Sequence, residues 1–157
     1  MNSKSSARAV ADEAQATIVA SVEVGAQPDA VFRMLASEAG TDWWVRPGVF
    51  DTRQWSGAVR PGGAWRASGV GGGRPYVLEG EFVEVDAPRR LAHTWRSAGD
   101  PAVTTVVYAL QPIAGGTRIA LRHSGFTSPS TCSATGIGWE TSFERLEEIL
   151  GPAGGPD

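Results

Sequence analysis

The C-terminal segment from Gly138 to Leu150 is the feature that most constrains the fold. Its large apolar side chains recur at spacings of four, three and four residues, and they are Trp139, Phe143, Leu146 and Leu150. This spacing predicts an amphipathic helix with one buried face, about 20 Å long. Because nearly all of the preceding chain has the pattern of β-strands, the helix must bury its apolar face against a sheet.

Alternation of apolar and polar residues predicts most of the other elements as strands. A first strand covers residues 16–24, and two short helices follow at 30–36 and 37–45. Six further strands are predicted at 49–55, 64–70, 76–85, 91–96, 103–110 and 117–123. Residues 126–136 are small and polar, so we expect a flexible loop there; it could gate one end of the interior, but an ordinary connection is favoured.

The length of 157 residues favours a single domain. We expect this domain at residues 15–151, with flexible tails at 1–14 and 152–157. No apolar run approaches the ~20 residues of a membrane span, and no signal-peptide pattern opens the chain. The net charge of −3 disfavours nucleic acid as a partner. With Cys132 as the only cysteine, the sequence predicts a cytoplasmic protein without an internal disulfide.

Motifs that would carry catalysis or hold a cofactor are missing from the sequence. One cysteine and two histidines cannot supply a standard zinc site. Lys4 is the only lysine, so the Gly-Lys-Ser/Thr motif of phosphate-binding loops does not occur. We therefore predict no cofactor, no metal and no catalytic set of residues. The sequence favours a binding protein over an enzyme.

A series of short motifs runs through the chain from residue 26 to residue 139. They are Ala26–Phe32, Trp43–Trp44, Arg60–Arg66, Glu79–Leu91, Thr94–Trp95, Gly116–Arg118, His123–Phe126 and Gly138–Trp139. In this order they resemble the START-like (SRPBCC, helix-grip) superfamily. Within it, they resemble the heat-shock protein 90 ATPase activator homologue-like family, near the polyketide cyclase/dehydrase-type proteins. The resemblance implies an α+β fold, in which a curved antiparallel sheet of six or seven strands wraps around the C-terminal helix.

The resemblance also implies an apolar cavity between the sheet and that helix. The leading hypothesis is binding of an apolar or aromatic small molecule, lipid-like or polyketide-like, in this cavity. Because the superfamily hosts many activities, two alternatives stay open: a cyclase or dehydratase that uses His123 as acid and base, and a chaperone-associated interaction module. Co-chaperone members carry a separate N-terminal domain, and only a short segment precedes the first strand here, which argues against a chaperone partner. Exposed strand edges leave room for a homodimer.

His123 is the strongest single polar candidate. It shares its parity with Ile119 and Leu121, so we expect it to face the interior near the end of the last strand. An imidazole there can bond to its surroundings, contact a ligand or transfer protons, and the first role is favoured. His93 is expected to be partly exposed.

Six tryptophans are many for one small domain, and tryptophan usually fills a core, a pocket or an interface. The predicted ligand-binding residues combine most of them with inward-facing neighbours. They are Trp43, Trp44, Trp65, Phe82, Trp95, Leu121, His123, Trp139 and Phe143. The acidic residues Glu79, Glu81 and Glu84 are expected on the outer face of the sheet, with arginines as their partners.

Overall fold

A computed structural model describes residues 5–46 and 48–154. The strands in these ranges are β1 (Arg8–Asp12), β2 (Thr17–Val24), β3 (Val45–Arg46), β4 (Phe50–Gly57), β5 (Ala64–Gly71), β6 (Arg74–Asp86), β7 (Arg90–Ser97), β8 (Thr104–Ile113) and β9 (Gly116–Ser124). The helices are α1 (Pro28–Leu35), α2 (Gly40–Trp43) and α3 (Pro129–Leu150). None of these helices is long and apolar enough to cross a membrane.

The described strands form one nine-stranded antiparallel sheet in the order β1-β2-β9-β8-β7-β6-β5-β4-β3. From β3 to β9 each strand pairs with its neighbour in the sequence, so this part is a meander. The pairing of β2 with β9, which sets Ile18 opposite His123, joins the two ends of the chain. The sheet curls around α3, which confirms the predicted α+β fold. It has more strands than predicted because the short strands β1 and β3 extend its two edges.

The core lies between the concave face of the sheet and α3. Alternate residues of β2 and β9 point into it, and every third or fourth residue of α3 meets them. The fully buried large side chains are Trp139, Phe143, Ile18, Leu91, Ile119, Leu146, His123, Val22, Val24, Val31, Val106 and Thr117. The predicted inward parity of Ile119, Leu121 and His123 is therefore confirmed.

Helix α3 begins at Pro129, well before the predicted start at Gly138. The predicted loop over 126–136 is wrong from residue 129 onward. Ser128 caps the helix, because its Oγ accepts a hydrogen bond from the Thr131 N–H at 3.3 Å, and proline is tolerated in the first turn. Two glycines and several small polar residues make this half look like a loop. Burial of Cys132 and Gly136 supplies the stability that helix propensity does not.

The prediction of a flexible N-terminal tail is wrong over residues 8–12, which form β1. Alanines at 7, 9 and 11 alternate with larger residues, and their small side chains let β1 pack beside α3. The Ala9 N–H at the strand edge donates to Glu140 Oε1 at 3.1 Å. At the other end, Pro152 bridges to Val24, so the predicted C-terminal tail is wrong there too. Residues 1–4 and 155–157 of these tails lie outside the described ranges.

The second predicted helix is shorter than residues 37–45, since α2 spans only Gly40–Trp43. It ends because residues 45 and 46 pair with β4 as the strand β3. The Trp43 Nε1–H donates to the Met34 carbonyl oxygen at 2.8 Å, which fixes α2 against the end of α1. This bond directs the Trp43–Trp44 pair toward the interior between sheet and helix.

Two glycines of α3 provide a test of how this helix packs. Gly136→Leu is expected to lower the free energy of unfolding by about 1–3 kcal/mol, because even a Cβ there would lie 3.2 Å from Ala11 Cβ on β1. Gly138→Ala should raise it by about 1 kcal/mol, because alanine favours helix and no described atom lies within 4 Å of the added Cβ. Urea denaturation measures both. Wild-type stability in Gly136→Leu would contradict close packing of α3 on β1.

Candidate functional site

A small cavity of about 50 Å³ lies between the concave face of the sheet, α2 and α3. Strands β4 to β8 form its floor, and α2 with Trp44 covers it. Its lining residues are Leu35, Gly40, Trp43, Trp44, Thr52, Trp55, Trp65, Ala67, Leu78, Phe82, His93, Trp95, Tyr108 and Trp139. All six tryptophans of the chain are among them. None of the described lining residues carries a charged side chain at neutral pH.

Trp44 lies at the centre of the tryptophan cluster. Its ring centroid is 4.6 Å from that of Trp139 and 5.3 Å from that of Trp95, both in edge-to-face geometry. Such contacts add to the stabilisation gained by burial alone. Trp43 is buried, whereas Trp44 is only partly buried. Trp44 is thus a partly buried side chain at the border of the cavity beside α2.

His93 projects from β7 into the aromatic lining and is only 7% exposed, so the expectation of a partly exposed side chain is wrong. Its Nδ1 lies 2.9 Å from the Thr94 carbonyl oxygen. Because a carbonyl only accepts, Nδ1 carries the proton and donates. Burial lowers the pKa of His93 to about 4, against a smaller opposing effect of this hydrogen bond. At neutral pH the ring is therefore uncharged, and its Nε2 is a bare acceptor.

Besides Trp43, two further tryptophans in the site are fixed by hydrogen bonds from their indole N–H groups. Trp65 Nε1 donates to the Thr94 carbonyl oxygen at 3.0 Å, which is the acceptor that also holds His93. Trp139 Nε1 donates to His123 Nδ1 at 3.0 Å. The ring of His93 lies 5.0 Å from that of Trp65. These bonds fix ring orientations on both the sheet side and the α3 side of the cavity.

His123 is fully buried, and both of its ring nitrogens are engaged. Since Nδ1 accepts from Trp139, the neutral ring carries its proton on Nε2, which donates to Thr104 Oγ1 at 2.7 Å. Thr104 Oγ1 in turn donates to the Trp95 carbonyl oxygen at 3.1 Å. Burial, followed by an effect of His93, lowers the pKa of His123 to about 3. His123 thus joins helix to sheet and has no nitrogen free for proton transfer.

Two hydroxyl-bearing side chains complete the polar part of the lining. Thr52 Oγ1 is hydrogen-bonded to Tyr76 Oη. Tyr108, on β8, is buried, and burial raises the pKa of its phenol, so the hydroxyl stays protonated. Within the described residues Tyr108 Oη has no hydrogen-bond partner. The site therefore offers one hydroxyl and one imidazole nitrogen in an otherwise apolar space.

The structure brings most of the predicted ligand-binding residues together. Trp43, Trp44, Trp65, Phe82, Trp95 and Trp139 line the cavity. Leu121, His123 and Phe143 are buried, but they are not among the described lining residues. For Leu121 and Phe143 the pattern gave the correct burial, and only the three-dimensional packing decides that they face the filled part of the core.

Sequence reasoning missed several lining residues, chiefly Trp55, His93 and Tyr108. Strand parity could have found two of them. His93 alternates with Leu91 and Trp95 on β7, and Tyr108 alternates with Val106 and Leu110 on β8. The parity of one strand is informative once its inward face is known, and that face follows from the apolar members of the same series.

The acidic residues of β6 lie outside the cavity, as predicted. Glu79 pairs with Arg96 and Glu84 with Arg90, both on β7. A bulge between Phe82 and Glu84 brings Glu84 to the outer face despite its different parity. Across the described residues, no group of three or more His, Cys, Asp or Glu side chains is arranged to hold a metal ion. The chemistry that the site can offer is therefore apolar contact with a few neutral hydrogen bonds.

Comparison with protein families and solved structures places this geometry among known folds. The model of the family described as Activator of Hsp90 ATPase homolog 1-like protein matches residues 25–151. A crystal structure of a protein from Nitrosomonas europaea has a TM-score of 0.74 and 27% identity, with 87% of this chain and 95% of that chain covered. No curated protein matches the chain.

Two further solved structures share the fold. A protein from Mycobacterium smegmatis has a TM-score of 0.77 and 20% identity, over 91% of this chain and 95% of that chain. CalU16 from Micromonospora echinospora has a TM-score of 0.63 and 22% identity, over 95% of this chain and 86% of that chain. At these identities the likeness concerns the architecture alone.

The buried hydrogen bonds of His123 should contribute to stability. His123→Leu is expected to lower the free energy of unfolding by about 2–4 kcal/mol, because it leaves the buried Trp139 N–H without its acceptor. Arg122→Leu is the matched control on the exposed face of the same strand, and it should stay within about 0.5 kcal/mol of wild type. Urea denaturation at pH 7 measures both. Equal effects of the two substitutions would contradict the structural role of His123.

The stability of the protein should depend on pH through its two buried histidines. Both histidines ionise near pH 6.5 when unfolded but only near pH 4 (His93) and pH 3 (His123) when folded. The unfolded state therefore binds more protons below pH 6.5, and stability falls as the pH is lowered from about 6.5 to 4. His93 alone should account for roughly 3 kcal/mol of this loss. Urea denaturation across this range should give a shallower pH dependence for His93→Leu, and an unchanged slope would overturn the assignment.

Proposed function

The chain belongs to the Activator of Hsp90 ATPase homolog 1-like family, within the START-like superfamily that its motifs predicted, and we propose that it binds an apolar or aromatic small molecule between the sheet and α3. The observation that carries this proposal is the composition of the cavity lining. All six tryptophans converge there, and the described lining has no charged side chain. Ligand sites are typically apolar and aromatic, with a few convergent polar groups.

Burial of apolar surface supplies the affinity in this proposal. Each Å² of apolar ligand surface removed from water contributes about 25 cal/mol before the costs of ordering. Indole rings in edge-to-face contact, such as Trp44 and Trp139, offer the same geometry to an aromatic ligand. A lipid-like or polyketide-like molecule fits this chemistry, in which shape and apolar area dominate over charge.

The cavity must widen to take such a ligand, because sites for small molecules usually enclose about 300–1,000 Å³ and this one encloses about 50 Å³. The segment best placed to move is α2, which is four residues long and is followed directly by Trp44. One contact tying it to α3 is a hydrogen bond from Arg145 Nε to the Asp42 carbonyl oxygen at 3.2 Å. Outward movement of α2 and Trp44 would pull on the adjoining strand β3 but leave the pairing of β4 to β9 intact.

The alternative functions have weaker support. A cyclase or dehydratase would need a nitrogen of His123 that is free to exchange protons, and both are occupied. A chaperone-associated role would need an exposed apolar surface. Of the eight exposed large apolar residues among the described ones, Val10 and Val19 face each other on β1 and β2. This pair by itself is far less than a stable interface buries.

Native mass spectrometry of the freshly purified protein tests the proposal most directly. We expect a bound small molecule that denaturation releases. Titration with naphthalene, followed by tryptophan fluorescence, tests the same site without knowledge of the natural ligand. A protein that carries no small molecule and whose fluorescence does not respond to naphthalene would contradict the proposal.

Filling the cavity should abolish binding. Ala67→Leu adds apolar volume at a lining position of β5 and is expected to weaken naphthalene binding at least tenfold. Arg66→Leu introduces the same side chain at the adjacent, exposed position and should leave the dissociation constant within about twofold. Isothermal titration calorimetry measures both variants. Equal affinity in Ala67→Leu and wild type would place binding elsewhere.

A further inference from the structure

We propose that the cavity selects a neutral aromatic ligand that carries a hydroxyl or N–H group, and that this group donates a hydrogen bond to His93 Nε2. The inference rests on the proposed binding function and specifies the chemistry of the ligand. It follows from the tautomer of His93, from the rings around it and from the neutrality of the lining.

His93 Nε2 is a hydrogen-bond acceptor that can receive a bond from a ligand. The Thr94 carbonyl oxygen occupies Nδ1 and thereby leaves Nε2 unprotonated in the neutral ring. Within the described residues Nε2 has no hydrogen-bond partner. Nε2 is also not fully buried. Among the described residues, Ser142 Oγ is the only side-chain nitrogen or oxygen atom that is both fully buried and without a partner. His93 lines the cavity, which is the space from which a ligand can approach its ring.

The surroundings of His93 are aromatic. Rings enclose it, with centroids at 5.0 Å for Trp65, 6.0 Å for Phe82 and 5.9 Å for Tyr108. A flat ligand that reaches Nε2 must lie among these faces and edges, where an aromatic ring gains more than an aliphatic chain of equal area. The donor and the ring are therefore expected in one molecule.

Tyr108 provides a second polar group, on a ring whose centroid lies 5.9 Å from that of His93. Tyr108 and His93 lie on neighbouring strands, since Leu91 pairs with Tyr108 and His93 pairs with Val106. The protonated Tyr108 hydroxyl can donate to the oxygen of a ligand hydroxyl whose proton is given to His93. A phenol-like group satisfies both atoms at once.

The cavity is unfavourable for charged ligands. A carboxylate or an ammonium group would lose its hydration in a space whose described lining offers no countercharge. His93 supplies none, because burial keeps it neutral. Acids and amines in their ionised forms should therefore be rejected, while a neutral donor is accepted.

A comparison of phenol, toluene and benzoate tests the inference, because the three share one ring and differ in the attached group. Dissociation constants come from NMR titrations that follow the tryptophan indole N–H signals. Wild type is expected to bind phenol at least as tightly as toluene, although toluene is the more hydrophobic, and to bind no benzoate. In His93→Leu the ratio of the two dissociation constants should shift about tenfold toward toluene. Tyr108→Phe removes only the hydroxyl and should shift the ratio in the same direction.

The outcomes separate this inference from the binding function itself. If wild type binds toluene more tightly than phenol, or binds benzoate, the donor selection is overturned while cavity binding stands. The same conclusion follows if the ratio is unchanged in a folded His93→Leu protein. If His93→Leu does not fold, the wild-type comparison and Tyr108→Phe still decide. If wild type binds none of the three compounds, both proposals fail.

Discussion

The hydrogen bond from the Trp139 indole to His123 is the interaction on which the rest of the structure depends. It joins α3 to β9 in the fully buried core and fixes the tautomer of His123. That tautomer directs the Nε2 proton to Thr104, whose hydroxyl holds the Trp95 carbonyl. The helix, the last strand and the aromatic lining are thus set by one chain of donors and acceptors. Removal of any member would leave a buried polar group unsatisfied, which costs more than the bond itself contributes.

The described lining of the cavity carries no charged side chain at neutral pH. Two imidazoles are buried among aromatic rings, and burial keeps both uncharged at neutral pH. In such a low-dielectric space each unpaired polar atom is a strong determinant of what can bind. Both ring nitrogens of His123 make structural hydrogen bonds. In His93 only Nδ1 does, and Nε2 has no partner among the described residues. In the proposed function, the same residue type therefore holds the core together at one position and recognises the ligand at the other.

Much of the fold and part of the site could be predicted from sequence. The apolar patterns of the sequence located β2 and β4 to β9, and the stripe beginning at Trp139 located the second half of α3. The first half of α3 was missed because Gly136 and Gly138 have poor helix propensity, and only packing on β1 makes that segment helical. Strand β1 was missed because its small alanines give a weak signal, although they are what allows α3 to lie so near.

The sequence by itself determined which residues face inward, because side-chain direction follows the local period of each strand and helix. It also determined the family, through motifs spread along the chain. Only the tertiary structure decided which inward residues fill the core and which border empty space, since that depends on how volumes from distant segments fit together. It showed that His123 makes the structural hydrogen bonds that the sequence favoured, and it buried His93, expected to be partly exposed, in the lining of the cavity.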